Sequence, residues 1–192
     1  MPGCGRKVGS VFKVETENPS LLSHLISILL LPFNVTVTIP LLLVFYFQNQ
    51  FTWGADPPIQ CGVMALAGII IVSALFLLVS TILNFARGGK GTLAPWDPPK
   101  RLVITGPYRY SRNPMISAVI LILFGQVIML GSVPLLLWFI WFATVNALYI
   151  VFKEEPLLTE KFGDDYLKYK SYVPRFFPRL TPWTPKETDE VK

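Results

Sequence analysis

The sequence predicts an all-α integral membrane protein with about four transmembrane helices, a C-terminal helical hairpin and an amphipathic cytoplasmic helix. Three observations predict it. Of 192 residues, 52% are hydrophobic and only 15% charged, against roughly 25% charged in an ordinary soluble domain. Four apolar runs approach the roughly 20 residues that a hydrocarbon core requires. The seventeen Lys and Arg also segregate: three lie before the first run, six between Arg87 and Arg112, eight from Lys153 onward, and none from Gln48 to Cys61. Basic residues concentrate in cytoplasmic loops, so both termini are expected on the cytoplasmic side.

The spans are expected at 21–47, 62–85, 114–130 and 133–152 of a single domain covering 1–178. Asn18 and Pro19 introduce the first run, and Pro32 and Pro40 interrupt it, which predicts one kinked helix. The second run is uninterrupted, with Asn84 near its end. Only Gly131 and Ser132 separate the third and fourth, and so short a join predicts a helical hairpin. The third run covers about 25 Å at 1.5 Å per residue, so it is expected to be tilted or to cross incompletely. Beyond the fourth, Leu158, Phe162, Tyr166, Tyr169 and Val173 recur at helical spacing. They predict an amphipathic helix over 157–172 with Lys161, Lys168 and Lys170 turned to water or headgroups. Residues 179–192, rich in Pro, Thr and charge, are read as a flexible tail.

Several function classes are disfavoured. The net charge of +5 sits in loops beside apolar runs rather than on a basic recognition helix, which points to a membrane surface and away from nucleic acid. Cys4 and Cys61 fall on opposite sides of the predicted membrane, and His24 is the only histidine, so neither a disulfide nor a metal site is expected. The first apolar run lacks a signal-peptide cleavage pattern and is expected to stay in the mature chain. Arg87 to Thr92 is Gly-rich but matches neither phosphate-loop spacing, and is read as a hinge.

The chemistry concentrates in two places. Gly106 to Pro114 reads G-P-Y-R-Y-S-R-N-P where a loop enters the third run. Asn113 is a good N-cap and Pro114 a good first helical residue, so the positive end of that helix is expected to attract an anion, helped by Arg109 and Arg112. Glu154 and Glu155 follow the fourth run, just before Pro156, where the helix end prefers cations. They suit a ribose diol, an amine or a sulfonium. Asn146, Tyr149 and Lys153 share one helical face leading to them. The expectation is a positive wall and a separate acidic wall, complementary to the carboxylate and the cationic groups of S-adenosylmethionine, with Tyr166 or Tyr169 facing its sulfonium.

The stretch Gly106 to Pro114, the pair Glu154 and Glu155, and Leu158, Phe162, Gly163, Tyr166, Tyr169 and Val173 to Phe176 together resemble the isoprenylcysteine carboxyl methyltransferase family and its phospholipid methyltransferase relatives. The resemblance covers roughly Gly91 to Pro178. It implies a cofactor pocket between hairpin and C-terminal helix, with Tyr108, Arg112, Asn113, Pro114, Glu154, Glu155, Tyr166, Tyr169 and Arg175 as cofactor-binding candidates. Arg109, Tyr149 and Glu154 are the candidates for acting on the reacting groups. The family's first motif, R-H-P-x-Y-x-G, here carries Asn113, Ile116 and Ala118 in place of His, Tyr and Gly.

Methyl transfer from a sulfonium is an in-line displacement that depends chiefly on positioning. A carboxylate acceptor is already ionised at neutral pH, which favours a lipid-borne carboxylate such as that of an isoprenylcysteine. An amine acceptor needs a base, with Glu154, Glu155 and Tyr149 the candidates. An NADPH-dependent sterol-type reductase and a non-catalytic membrane adaptor are the rival readings.

Overall fold

The computed structural model describes residues 29–47, 57–88, 102 and 104–184. The start of the expected first span, the loop from Gln48, residues 89–101 and 103, and 185–192 lie outside the described residues, as do Cys4 and His24. The described residues are helical apart from short connections. A π-helical segment, Leu29–Thr38, runs into α1, Ile39–Tyr46. Then come α2, Pro57–Gly88; a 3₁₀ turn, Gly106–Arg109; α3, Pro114–Leu130; and α4, Val133–Tyr149. A π-helical turn, Ile150–Glu154, leads into α5, Glu155–Tyr172.

Two of these helical stretches, Pro58–Asn84 and Val133–Tyr172, are long and apolar enough to cross a membrane, and the apolar helices Pro32–Tyr46 and Pro114–Leu130 are shorter. Within the second stretch the apolar part ends at Phe152, before Lys153, Glu154 and Glu155. On α2, Ile69, Val72, Phe76, Val79 and Leu83 follow one another at spacings of three and four, and all are exposed. Such a stripe suits hydrocarbon rather than water. The opposite face of α2 packs on α3: Ala74 and Leu78 join Ala118, Val119, Ile122 and Leu123 in one buried cluster. Small residues permit the approach, because a Cβ added at Gly125 would lie 2.6 Å from Ile71 Cγ1.

Pro40 of the first run acts differently from a simple kink. Pro40 sits in the first turn of α1, and its missing N–H leaves upstream carbonyls without their helical donor. Those carbonyls are satisfied from neighbouring helices: Gln126 Nε2 donates to Thr36 O at 2.7 Å and Trp138 Nε1 to Val35 O at 3.2 Å. In an apolar surround every backbone group needs such a partner, so the irregular helix is pinned where it is irregular.

Pro156 does not end the helix either. The π-helical turn before it absorbs the lost N–H, and Pro156 falls in the first turn of α5. Gly163, with φ 54° and ψ −131°, breaks α5 instead. Leu158, Phe162, Tyr166, Tyr169 and Val173 nonetheless reach one cluster, completed by Leu102, Ile104 and Trp183. Lys170 departs from the expected polar face and turns inward, 2.7 Å from Glu155. Residues 179–184, read above as flexible tail, are tied down: the N–H groups of Arg179 and Trp183 donate to the carbonyls of Tyr110 and Arg109.

Candidate functional site

The site end of the molecule is assembled from the 106–113 loop, the start of α5 and the 173–183 segment. Gly106 makes the first bend. Its φ of +54° and the Asn84 side chain, 2.6 Å from where a Cβ would stand, both demand glycine there. The loop thus seats on the end of α2. From there the 3₁₀ turn presents Tyr108 and Arg109, and the 173–183 segment runs alongside. Ser111 Oγ donates to Arg175 O at 2.8 Å, Ser117 Oγ to Phe176 O at 3.2 Å, and Tyr169 OH to Tyr108 O at 2.6 Å.

This arrangement changes the expected anion site at the start of α3. The N–H groups of Arg112 and Asn113 donate to the carbonyls of Pro174 and Arg175, at 2.9 and 3.1 Å. The Asn113 side chain makes no capping hydrogen bond, and Pro114, wholly buried, has no N–H to offer. The protein's own C-terminal segment takes the role assigned to an outside anion.

The two expected walls are likewise one cluster. Arg112 Nε donates to Val173 O at 2.9 Å, and its Nη1 donates to Glu155 Oε1 at 2.9 Å and to Tyr166 OH at 3.3 Å. Arg175 grips the same carboxylate with two nitrogens, Nη2 standing 3.1 Å from Oε2 while Nε bonds Oε1. Lys170 completes the set. One buried carboxylate therefore faces three cations. Arg112 is sealed in at 7% side-chain exposure, whereas Lys170 and Arg175 remain 37% and 40% exposed. The chemical reason is that a desolvated charge must be paired, and Glu155 is the carboxylate that meets the buried Arg112.

The neighbouring acids diverge. Burial pushes the Glu155 carboxyl up, but the hydrogen bonds from Arg175 and Lys170 and the charges of Arg112 and Arg175 outweigh it and bring it to about 2. Glu154 stands outside this ion cluster. Burial, then the charge of Glu155, holds it above the usual carboxylate range against the opposing pull of Arg112. Burial and then Glu154 raise Tyr108, while burial and then Tyr108 raise Tyr169. Glu154, Tyr108 and Tyr169 thus feel one another electrostatically beside the ion cluster, and the carboxyl of Glu154 is the one displaced upward.

Other predicted residues lie elsewhere. Arg109 Nε donates to Trp183 O at 3.0 Å, so this arginine fastens the C-terminal segment. Tyr149 is 46% exposed on α4, and Asn146 Nδ2 donates to Phe142 O one turn back in its own helix. Sequence reasoning missed Lys170, Ser111, Ser117, Asn84 and Trp183. Their roles depend on contacts between separate segments, from 15 positions apart for Lys170 and Glu155 to 74 for Arg109 and Trp183. Only the positive-φ requirement at Gly106 had a local signal. Among the described residues no group of His, Cys, Asp and Glu is arranged to hold a metal ion.

Comparison with known proteins gives one family. A family model described as phospholipid methyltransferase matches residues 63–165, which takes in most of α2, the loop, α3, α4 and the first part of α5. No curated protein matches the chain.

Proposed function

Because the chain belongs to the phospholipid methyltransferase family, a family of membrane methyltransferases acting on lipid-like substrates, we propose that it transfers a methyl group from S-adenosylmethionine to the amine of a lipid headgroup. The proposed frame has four spans, with α3 and α4 as a hairpin whose site end faces the cytoplasm. The observation that carries the reading is the adjacency of a carboxylate held by three cations, Glu155, and a second carboxylate, Glu154, outside their grip. S-adenosylmethionine, when bound, supplies an electrophilic methyl carbon on a sulfonium. The donor set fits its carboxylate: Arg175 and Lys170 are the part-exposed cations suited to it. The Arg112 side chain and the backbone N–H groups of Arg112 and Asn113 hold these groups in place.

An amine is protonated at neutral pH and cannot attack until it loses that proton. Glu154, with its raised carboxyl and its neighbour Tyr108, is the group that accepts it. Its charge also attracts the ammonium form into position. The positive surplus around Glu155 supports a second reading, in which the acceptor is a carboxylate such as that of an isoprenylcysteine and no base is needed.

Both levels are testable on the detergent-solubilised protein. S-adenosylhomocysteine should raise the melting temperature and NADPH should not, since only the former is a ligand of the site; the opposite result installs the reductase reading, and no shift with either favours an adaptor. With methyl-labelled cofactor and native membranes, alkali-stable label in phospholipid supports the amine. Label released by alkali as methanol identifies a carboxyl ester.

A further inference from the structure

The segment that closes the site carries an apolar tip that nothing among the described residues covers. Phe177 is 86% exposed and Leu180 99%, and Tyr172 beside them is 55% exposed. Their exposure is not that of a loose tail, because the chain is fastened on both sides of the tip. Before it, Ser117 Oγ donates to Phe176 O; after it, the N–H groups of Arg179 and Trp183 donate to Tyr110 O and Arg109 O. Trp183 also stacks on Tyr172, with centroids 5.8 Å apart and planes at 14°. A fixed backbone that holds two large apolar side chains outward points to a partner that is apolar where they end.

The same bonds fix where the tip lies. Ser117 is the fourth residue of α3, about 4.5 Å along the helix from Pro114 at 1.5 Å per residue. Phe176 is therefore level with the first turn of α3, and Phe177 follows it at the depth where an apolar helix meets headgroups. Between Val173 and Thr184 there is no Asp or Glu, while Arg175 and Arg179 flank Phe177 and Pro178. Apolar side chains at the hydrocarbon boundary with an arginine at their base form the pattern of a segment lying in a membrane interface. Arg175 is engaged by Glu155, and Arg179, whose Nη1 donates to Tyr172 O at 2.9 Å, keeps its other donors for lipid phosphate.

We infer that the 176–180 tip docks into the bilayer leaflet at the polar end of α3, Phe177 and Leu180 entering the acyl boundary and Arg179 meeting phospholipid phosphate. This rests on reading α3 as a spanning helix. Because the tip continues directly into Arg175 and its grip on Glu155, lipid at this surface stands next to the ion cluster of the site.

Spin labels in the full chain test it, after Cys4→Ser and Cys61→Ser remove the native thiols. The chain is reconstituted in phosphatidylcholine vesicles with single cysteines from Phe177→Cys, Leu180→Cys, Leu121→Cys on the outward side of α3, and Glu160→Cys on exposed α5. The ratio of relaxation by oxygen to relaxation by a water-soluble nickel chelate should be severalfold higher at 177 and 180 than at 160, and comparable to that at 121. If 177 and 180 behave like 160 while 121 behaves as lipid-exposed, the docking is overturned and the span stands. If 121 is also water-exposed, the spanning reading fails and takes the docking with it. Spin–spin broadening at 177 or 180 overturns the proposal in favour of a second copy of the chain covering the tip.

Discussion

The α2–α3 contact and the cap over the start of α3 hold the molecule together by opposite means. Along α2 and α3 the contact is made by Ala74, Leu78, Ala118, Ile122 and the bare backbone of Gly125. No charge is involved. At the cap, the contacts are hydrogen bonds to carbonyls and three ion pairs to one carboxylate. Apolar packing is graded, because each misplaced methylene costs its own increment. A buried ion cluster is closer to all-or-none, because removing one member leaves the others desolvated and unpaired. The cap is also where the chemistry is proposed, so the fragile part of the structure and the functional part coincide.

The largest expected effect is at the cap. Glu155→Gln changes almost no volume but leaves Arg112, at 7% exposure, facing a neutral amide. Breaking a buried pair in this way costs roughly 3–5 kcal/mol, to be read as lost thermal stability in detergent together with lost affinity for S-adenosylhomocysteine. A variant as stable as the parent would mean that Arg112 finds another partner, and would erase the contrast drawn between the two regions.

The next effect lies in the apolar contact. Gly125→Ala puts a methyl 2.6 Å from Ile71 Cγ1 and should cost about 1–3 kcal/mol. Adding Ile71→Ala removes the obstructing atom, so the double variant should lose less than the two single losses combined. Strict additivity would show that the helices shift apart instead. Cofactor affinity should move little in either variant, in contrast to Glu155→Gln.

This difference also explains what could be read from the chain. Hydropathy marks the α3 run from Pro114 to Leu130 and the face carrying Tyr166, Tyr169 and Val173, because burial there is a property of each residue's own side chain. The pairing of Arg112 with Glu155, 43 positions away, was not legible, since two motifs recognised separately suggest two separate walls. Nor was the diversion of the Arg112 and Asn113 N–H groups to the 173–183 segment, because a helix start looks the same whether its partner is a ligand or another loop. Pro40 and Pro156 misled for a related reason: a proline advertises a missing donor, but not whether a π-helical turn or a neighbour such as Gln126 will make good the loss.

The smallest expected effect separates the two adjacent acids by pH. Glu155, held at about 2, contributes stability that is present above the unfolded value of about 4.3 and is lost as pH falls from there toward 2. Glu154 is displaced the other way. Its ionised form is disfavoured in the folded protein, so it costs stability above its raised folded value, and acidification relieves that cost before Glu155 begins to fail. Glu154→Gln should therefore be slightly more stable than the parent at pH 7. The advantage should shrink to nothing as the pH approaches about 4.3, while the acid-side loss due to Glu155 persists unchanged. Melting curves at stepped pH read this directly, and a variant less stable than the parent at neutral pH would place Glu154 among the groups that hold the cap together. Paired with methyl-transfer rates, the same variant tests the proton acceptor: an amine acceptor requires Glu154→Gln to be slow despite its stability, whereas a carboxylate acceptor leaves the rate nearly intact.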